Sequence, residues 1–291
     1  MQCYSPIHIK NEGAESLRKP WRTVPCGKCP ACVANKASQW YTRLLMQQRY
    51  SDNAVFVTLT YADENLPPVR WDEEGNWNID VSKDDIRLYH YRLRKALGPE
   101  KSKRLKYFLV SEYGPSPTGV SVYGAINRPH YHVIYFNLDK CDYHEVTKAW
   151  NKGFTEFGDL TEGRVRYVSG YVIEKNFTPI GRLRPFTFIS NGIGRDYVDR
   201  VGSYNRGNLD RVYVPYHGKR LPMPRYYKEK LFTEFECKAF NQMCEERSED
   251  LYNSDLVKFG GDVDALENRY TEIRKDFMRK QYQKRRKKKN G

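Results

Sequence analysis

Positions 54–61 are almost all β-branched or aromatic, and they predict a buried strand that ends near Asp63 and the Pro67-Pro68 pair. Over 80–97 the pattern changes to a helical period, with Ile86, Tyr89, Leu93 and Leu97 on one apolar stripe. Ser82 with Asp85 resembles a capping box at its start, and Gly98-Pro99 is expected to stop it. Residues 106–113 read as a second strand. A loop rich in Pro, Gly and Ser then runs to Pro129, and a third strand follows over 130–136. Asp142, as N-cap, and Glu145 open a short helix predicted over 142–150. Residues 186–189 and 211–216 read as further strands, with a turn at His217-Gly218. Beyond Tyr226 the pattern is long, charged and helical. Strands in hairpin-like succession with interspersed helices predict an α+β fold, a central antiparallel sheet flanked by helices, with a helical C-terminal extension. Three regions are expected: a Cys-bearing segment over 1–45, the α+β domain over 46–225 and a helical region over 226–291.

The third strand carries His130 and His132. Strand side chains alternate, so both imidazoles share a face and could hold one metal ion. Antiparallel pairing sets the end of the 106–113 strand beside the start of the next, which makes Glu112 the natural third ligand. Asp63 and Glu64 are fallback carboxylates. Thr58 and Thr60 either line the sheet beside the metal or simply pack.

Downstream, Tyr167, Tyr171 and Lys175 align along one face if 163–175 is helical. In a chain with 23 Tyr such spacing usually means core packing, and Gly170 weakens the helix by about 1 kcal/mol relative to Ala. Together the pieces suggest chemistry. A phenol of ordinary pKa ~10 can attack a phosphodiester when an ammonium favours its phenolate and a metal neutralises the phosphate oxygens. Two histidines and a carboxylate leave coordination positions open for phosphate and water, and suit Mg2+ or Mn2+. No nucleotide-binding G-x-x-x-x-G-K-[ST] loop is present, so the expected reaction is a transesterification that needs no ATP. His8, His90, His144 and His217 lack such partners and read as surface or structural residues.

The net charge of +14 is uneven: +9 of it lies from Arg274 onward. That run reads equally as a solvated, fraying helix end or as a nucleic-acid contact. Aromatic content is 14%, and basic residues interleaved with rings suit single-stranded nucleic acid. Cys3 and the cluster Cys26, Cys29 and Cys32 could make a closed zinc site. Reduced unliganded thiols and an iron–sulfur centre are the alternatives. No window approaches the ~18 consecutive apolar residues of a membrane span, and Met1–His8 lacks a signal-peptide pattern, so the expectation is an intracellular protein.

Five segments taken in order, Pro25-Cys26-Gly27-Lys28-Cys29, 56–61, Ser111-Glu112-Tyr113-Gly114, Arg128-Pro129-His130-Tyr131-His132 and 167–175, resemble the HUH endonucleases that initiate rolling-circle replication. Gly192-Ile193-Gly194-Arg195-Asp196-Tyr197 and Pro222-Met223-Pro224-Arg225-Tyr226-Tyr227 extend the resemblance, which is nearest to the initiators of Microviridae phages in the gokushovirus branch. It implies a ferredoxin-like palm, with His130 and His132 as metal ligands, Tyr167 and Tyr171 as paired nucleophiles and Lys175 as the basic residue after them. It further implies nicking of single-stranded and replicative-form origin DNA through a 5′-phosphotyrosine, with a host polymerase and helicase as partners in the bacterial cytoplasm. Glu174, directly before Lys175, departs from the pattern, because a carboxylate facing a nucleophilic phenol opposes its ionisation. A non-catalytic single-strand-binding protein is the alternative function. A single-tyrosine HUH transposase and an iron–sulfur redox protein are the remaining ones.

Overall fold

The computed structural model describes residues 3–10, 20–71, 75, 77–114, 128–174 and 182–290, without the side chains of 77, 172–174, 278 and 281–290. In chain order the elements are β1 (Ile7–Lys10), β2 (Trp21–Val24), α1 (Pro30–Arg49), β3 (Ala54–Tyr61), β4 (Val69–Trp71), β5 (Trp77–Ile79), α2 (Lys83–Arg104), β6 (Lys106–Gly114) and β7 (Arg128–Phe136). There follow α3 (Tyr143–Ala149), β8 (Gly153–Asp159), α4 (Glu162–Glu174), β9 (Thr187–Ile189), α5 (Arg195–Val201), β10 (Tyr213–Tyr216), β11 (Lys219–Pro222), α6 (Arg225–Leu231), α7 (Glu234–Lys258) and α8 (Val263–Asn290). They fall into two compact units, one of residues 40–204 with 285–291, the other of 1–39 with 205–284.

The unit built on 40–204 contains a five-stranded sheet in the order β8-β3-β7-β6-β9, antiparallel throughout. This is the α+β architecture that the strand and helix patterns predicted. On one face Val55, Val57, Leu59 and Tyr61 join Tyr131, Val133, Tyr135, Leu109 and Tyr113. They pack on the α2 stripe of Ile86, Tyr89, Leu93 and Leu97 and on Trp150. Trp150 is fully buried, and its indole N–H donates to the Thr60 carbonyl at 2.9 Å, so no polar atom of that ring is stranded. Each fully buried side chain of this size contributes roughly 1.5–3 kcal/mol. The core thus fixes register, and register decides what the other face displays.

Several local expectations are corrected. Gly98 leaves helical geometry (φ 74°, ψ 172°), but the chain re-enters a helix at Pro99 and continues to Arg104. Proline is suited to that first helical position, because its missing N–H has no partner there anyway. Ser82 accepts from the Asp85 N–H at 3.1 Å, but the Asp85 carboxylate accepts from the Tyr61 hydroxyl at 2.8 Å instead of closing the box. Asp142 does not cap α3 with its side chain; the carboxylate binds the Lys101 ammonium at 2.7 and 2.9 Å. The strand expected over 211–216 begins at Tyr213, because Leu209–Arg211 forms a 3-10 turn capped by Asn208.

The unit built on 1–39 and 205–284 has two short hairpins, β1–β2 and β10–β11, together with α6, α7 and most of α8. A complete capping box of Thr233 and Glu236 starts α7. The Tyr4 ring packs on Tyr270 of α8 with centroids 5.5 Å apart, and the Arg274 guanidinium donates to the Tyr4 carbonyl at 3.1 Å. Among the described residues no helix is long and apolar enough to cross a membrane.

Candidate active site

The non-core face of the sheet carries the candidate chemistry. Period-2 alternation along β7 sends His130 and His132 away from the Tyr131 side. Antiparallel register sets Glu112 directly opposite His130, and Thr58 opposite His132. One carboxylate oxygen, Glu112 Oε2, stands 3.3 Å from His130 Nε2 and 3.4 Å from His132 Nε2. Both ring Nδ1 atoms are engaged elsewhere: His130 Nδ1–H donates to the Arg128 carbonyl at 3.3 Å, and His132 Nδ1 bonds Thr58 Oγ1 at 3.2 Å. Those outer partners fix ring orientation and leave each Nε2 for a ligand.

These three residues fit a divalent ion. Ligands held about 2.1 Å from one ion lie roughly 3.0–3.4 Å from each other, and both histidine-to-glutamate separations have that scale. Nitrogen and carboxylate donors suit a hard or borderline cation. The fallback carboxylates do not join the group: Asp63 is ion-paired with Arg128, and Glu64 is exposed. Thr60 donates to the Phe154 carbonyl at the long distance of 3.5 Å.

Helix α4 brings two phenols to this cluster. The Tyr167 hydroxyl donates to Glu112 Oε2 at 3.1 Å, and the Tyr171 hydroxyl donates to the Tyr167 oxygen at 2.5 Å. Their rings lie 5.6 and 6.3 Å from the His132 ring. Tyr171 is 6% exposed and Tyr167 47% exposed, so one phenol is seated and the other opens to solvent. Burial, then the Glu112 carboxylate and Tyr167, pushes the Tyr171 phenol far above its ordinary value. A cation beside Glu112 would oppose the carboxylate's part of that shift. Lys175 lies outside the described residues, as does the Glu174 side chain.

Gly114 is a site residue that the motif reading passed over. A Cβ there would overlap His130 Cε1, so any side chain would displace the imidazole. The requirement arises across two strands and has no local sequence signal. Among the unpaired histidines, His90 is a core residue: it is stacked on Tyr107 at 4.0 Å, and burial, then Arg94, lowers it to about 3. His8 bonds Thr23, and His144 bonds the Cys141 carbonyl and Glu145.

The four cysteines expected to cluster do so, and their ligand atoms all lie within 4.8 Å of one another. No disulfide joins them. Burial raises the Cys26 thiol, but N–H donors from Lys28 and Cys29 outweigh it and bring the group down to about 7.

Comparison with known proteins places this geometry in context. Residues 54–176 match the family of replication-associated proteins described by its ORF2 members, a span that covers β3 through α4. The chain is 29% identical over 230 residues to replication-associated protein VP4 of Bdellovibrio phage phiMH2K, covering 70% of this chain and 66% of that protein. It is 24% identical to replication-associated protein ORF2 of Spiroplasma virus 4, covering 78% and 73%, and 24% identical to replication-associated protein ORF4 of Chlamydia phage 1, covering 76% and 58%. The chain therefore spans between about three fifths and three quarters of these relatives' lengths. No solved structure matches the chain.

Proposed function

Because the chain belongs, through residues 54–176, to the ORF2 family of replication-associated proteins of small phages, we propose that it initiates replication by cutting and rejoining origin DNA through its tyrosines. The observation that carries this reading is the convergence of Tyr167, Tyr171, His130 and His132 on one Glu112 carboxylate. His130, His132 and Glu112 would hold Mg2+ or Mn2+, which when bound supplies charge neutralisation for a phosphodiester.

Tyr167 attacks first. It is the phenol open to solvent, it already donates to Glu112, and it receives a hydrogen bond from Tyr171 that stabilises its oxygen as the proton leaves. A bond forms from its oxygen to phosphorus while the bond from phosphorus to the 3′ oxygen breaks. The electron pair leaves on that oxygen, which takes up a proton, and the phenolic proton passes to the Glu112 carboxylate. The products are a 5′-phosphotyrosine and a 3′-hydroxyl that primes a host polymerase. Lys175, one turn beyond Tyr171, would add positive charge beside the phenols. Tyr171 then cuts the regenerated origin, and the first 5′ end is transferred to the new 3′-hydroxyl. The substrate is single-stranded origin DNA, exposed in the replicative form by a host helicase in the bacterial cytoplasm.

The test is incubation of the full chain with Mn2+ and single-stranded oligonucleotides tiling the phage genome. A protein–DNA adduct that survives denaturation, and disappears with chelator, is expected. Salt-dependent binding to every oligonucleotide without any adduct would instead assign a non-catalytic single-strand-binding protein.

A further inference from the structure

We propose that Cys3, Cys26, Cys29 and Cys32 bind one structural zinc ion, and that this ion holds the N-terminal hairpin and the Tyr4 segment in place. The site lies outside the candidate active centre and does not depend on the nicking reading. Its first support is size. In a tetrahedron of thiolates bound at about 2.3 Å, neighbouring sulfurs stand roughly 3.8 Å apart. Cys29 Sγ and Cys3 Sγ are 3.8 Å apart, and all four sulfurs lie within 4.8 Å of one another. That cage suits a single ion. A multi-iron cluster spreads its cysteines further, because iron and sulfide stand between them.

The second support is the way the backbone receives negative charge. Gly27 adopts φ +72°, a left-handed conformation that bends Cys26-Gly27-Lys28-Cys29 into a tight knuckle. The bend aims the N–H groups of Lys28 and Cys29 at Cys26 Sγ, at 3.4 and 3.3 Å, while the Cys26 N–H donates to Cys3 Sγ at 3.3 Å. Cys29 and Cys32 sit at the start of the 20-residue helix α1, whose positive end favours thiolates.

The third support is what the segment lacks. The β1–β2 hairpin has no buried residue, and Ile7 and Trp21 are half exposed. Two strands of four residues do not fold alone in water. A closed metal site supplies folding free energy where a core cannot. Cys3 precedes Tyr4, whose ring and carbonyl meet Tyr270 and Arg274 of α8, so the ion also anchors that contact. Zinc is preferred to ferrous iron at such a site because divalent affinity rises along the series toward it.

The full chain, purified without added metal, is expected to carry one zinc per molecule by mass spectrometry of its metals. That zinc should resist a chelator concentration that strips Mn2+, and should persist in the His130→Ala/His132→Ala variant, which separates it from the active-site ion. Cobalt exchanged into the wild-type chain should give the sulfur-to-cobalt charge transfer and strong visible bands of a tetrahedral tetrathiolate. Stripping zinc with an organomercurial reagent should speed tryptic cleavage after Lys28 while α7 stays intact. Substoichiometric zinc together with a cobalt spectrum free of sulfur charge transfer overturns the proposal. So does stoichiometric iron, with or without sulfide, in the chain as isolated.

Discussion

His130, Tyr131 and His132 are consecutive residues that serve two different hydrogen-bond networks on opposite faces of one sheet. On the core face the Tyr131 hydroxyl meets Tyr61 at 3.0 Å and the Ser82 N–H at 2.8 Å, and Tyr61 continues to Asp85 at 2.8 Å. On the other face Tyr171, Tyr167 and Glu112 repeat the same makeup, two phenols and a carboxylate, at 2.5 and 3.1 Å. The core set is enclosed, and burial lifts both of its phenols well above their ordinary range. The outer set has an open end at Tyr167 and two imidazoles aimed at its carboxylate. A tyrosine–carboxylate hydrogen bond is therefore not a reactive device in itself. Access for a phosphate and nitrogen donors for a cation make the difference.

Substitutions on either face would break or sharpen this contrast. Tyr167→Phe combined with Tyr171→Phe should reduce covalent DNA attachment by at least ~10³-fold, the scale of losing a nucleophile; an undiminished adduct would move the chemistry elsewhere. Singly, Tyr167→Phe should block the first cleavage, whereas Tyr171→Phe should cleave yet fail to rejoin strands. His132→Ala should weaken Mn2+ binding by more than ~100-fold in calorimetry, exceeding the ~10–100-fold expected when Thr58→Val removes only its outer partner. If the two variants behave alike, His132 is not a ligand. On the core face, Tyr131→Phe should cost about 1–3 kcal/mol in denaturant unfolding, because the buried Ser82 N–H loses its acceptor, with adduct yield unchanged.

The smallest effect is on alkaline stability. Tyr61 and Tyr131 have folded pKa values above the unfolded phenol value of ~10. Their contribution is complete below that pH and is lost as pH rises past it, since the unfolded chain then binds fewer protons. Tyr131→Phe should flatten the fall of stability above pH ~10 in urea titrations. An unchanged slope would mean that the core phenols titrate alike in both states.

Much of the sheet was readable from the chain alone. The run over 54–61 stands out because all of its positions suit a buried strand, and the β6–β7 pairing follows from two apolar runs with a long loop between them. Glu112 was reachable because antiparallel register is a short-range rule once both strands are known. The helix α1 was not foreseen: Thr42 and Gln47 are buried in it, and such polar positions interrupt the apolar stripe that marks a helix. The edge strand β8 escaped for a similar reason, as it buries little and carries Thr, Glu and Gly among its seven residues. Asp142 shows a different limit. Its cap signal was local, but Lys101, 41 residues away, takes the carboxylate. Gly114 is the strongest case, since its need is set by an imidazole on the neighbouring strand.

The 2.5 Å between the Tyr167 and Tyr171 oxygens means the helix offers two phenols but a single seat. A phosphate esterified to one oxygen fills the volume the other would occupy, so a loaded tyrosine must swing aside before its neighbour can take its place. The pivot is a pair of side-chain torsions on a fixed helical turn. Motions of that kind take picoseconds to nanoseconds where the side chain is exposed. The tempo of strand exchange is then set by the arrival of the next stretch of DNA, and the protein works as a turnstile that admits one end at a time.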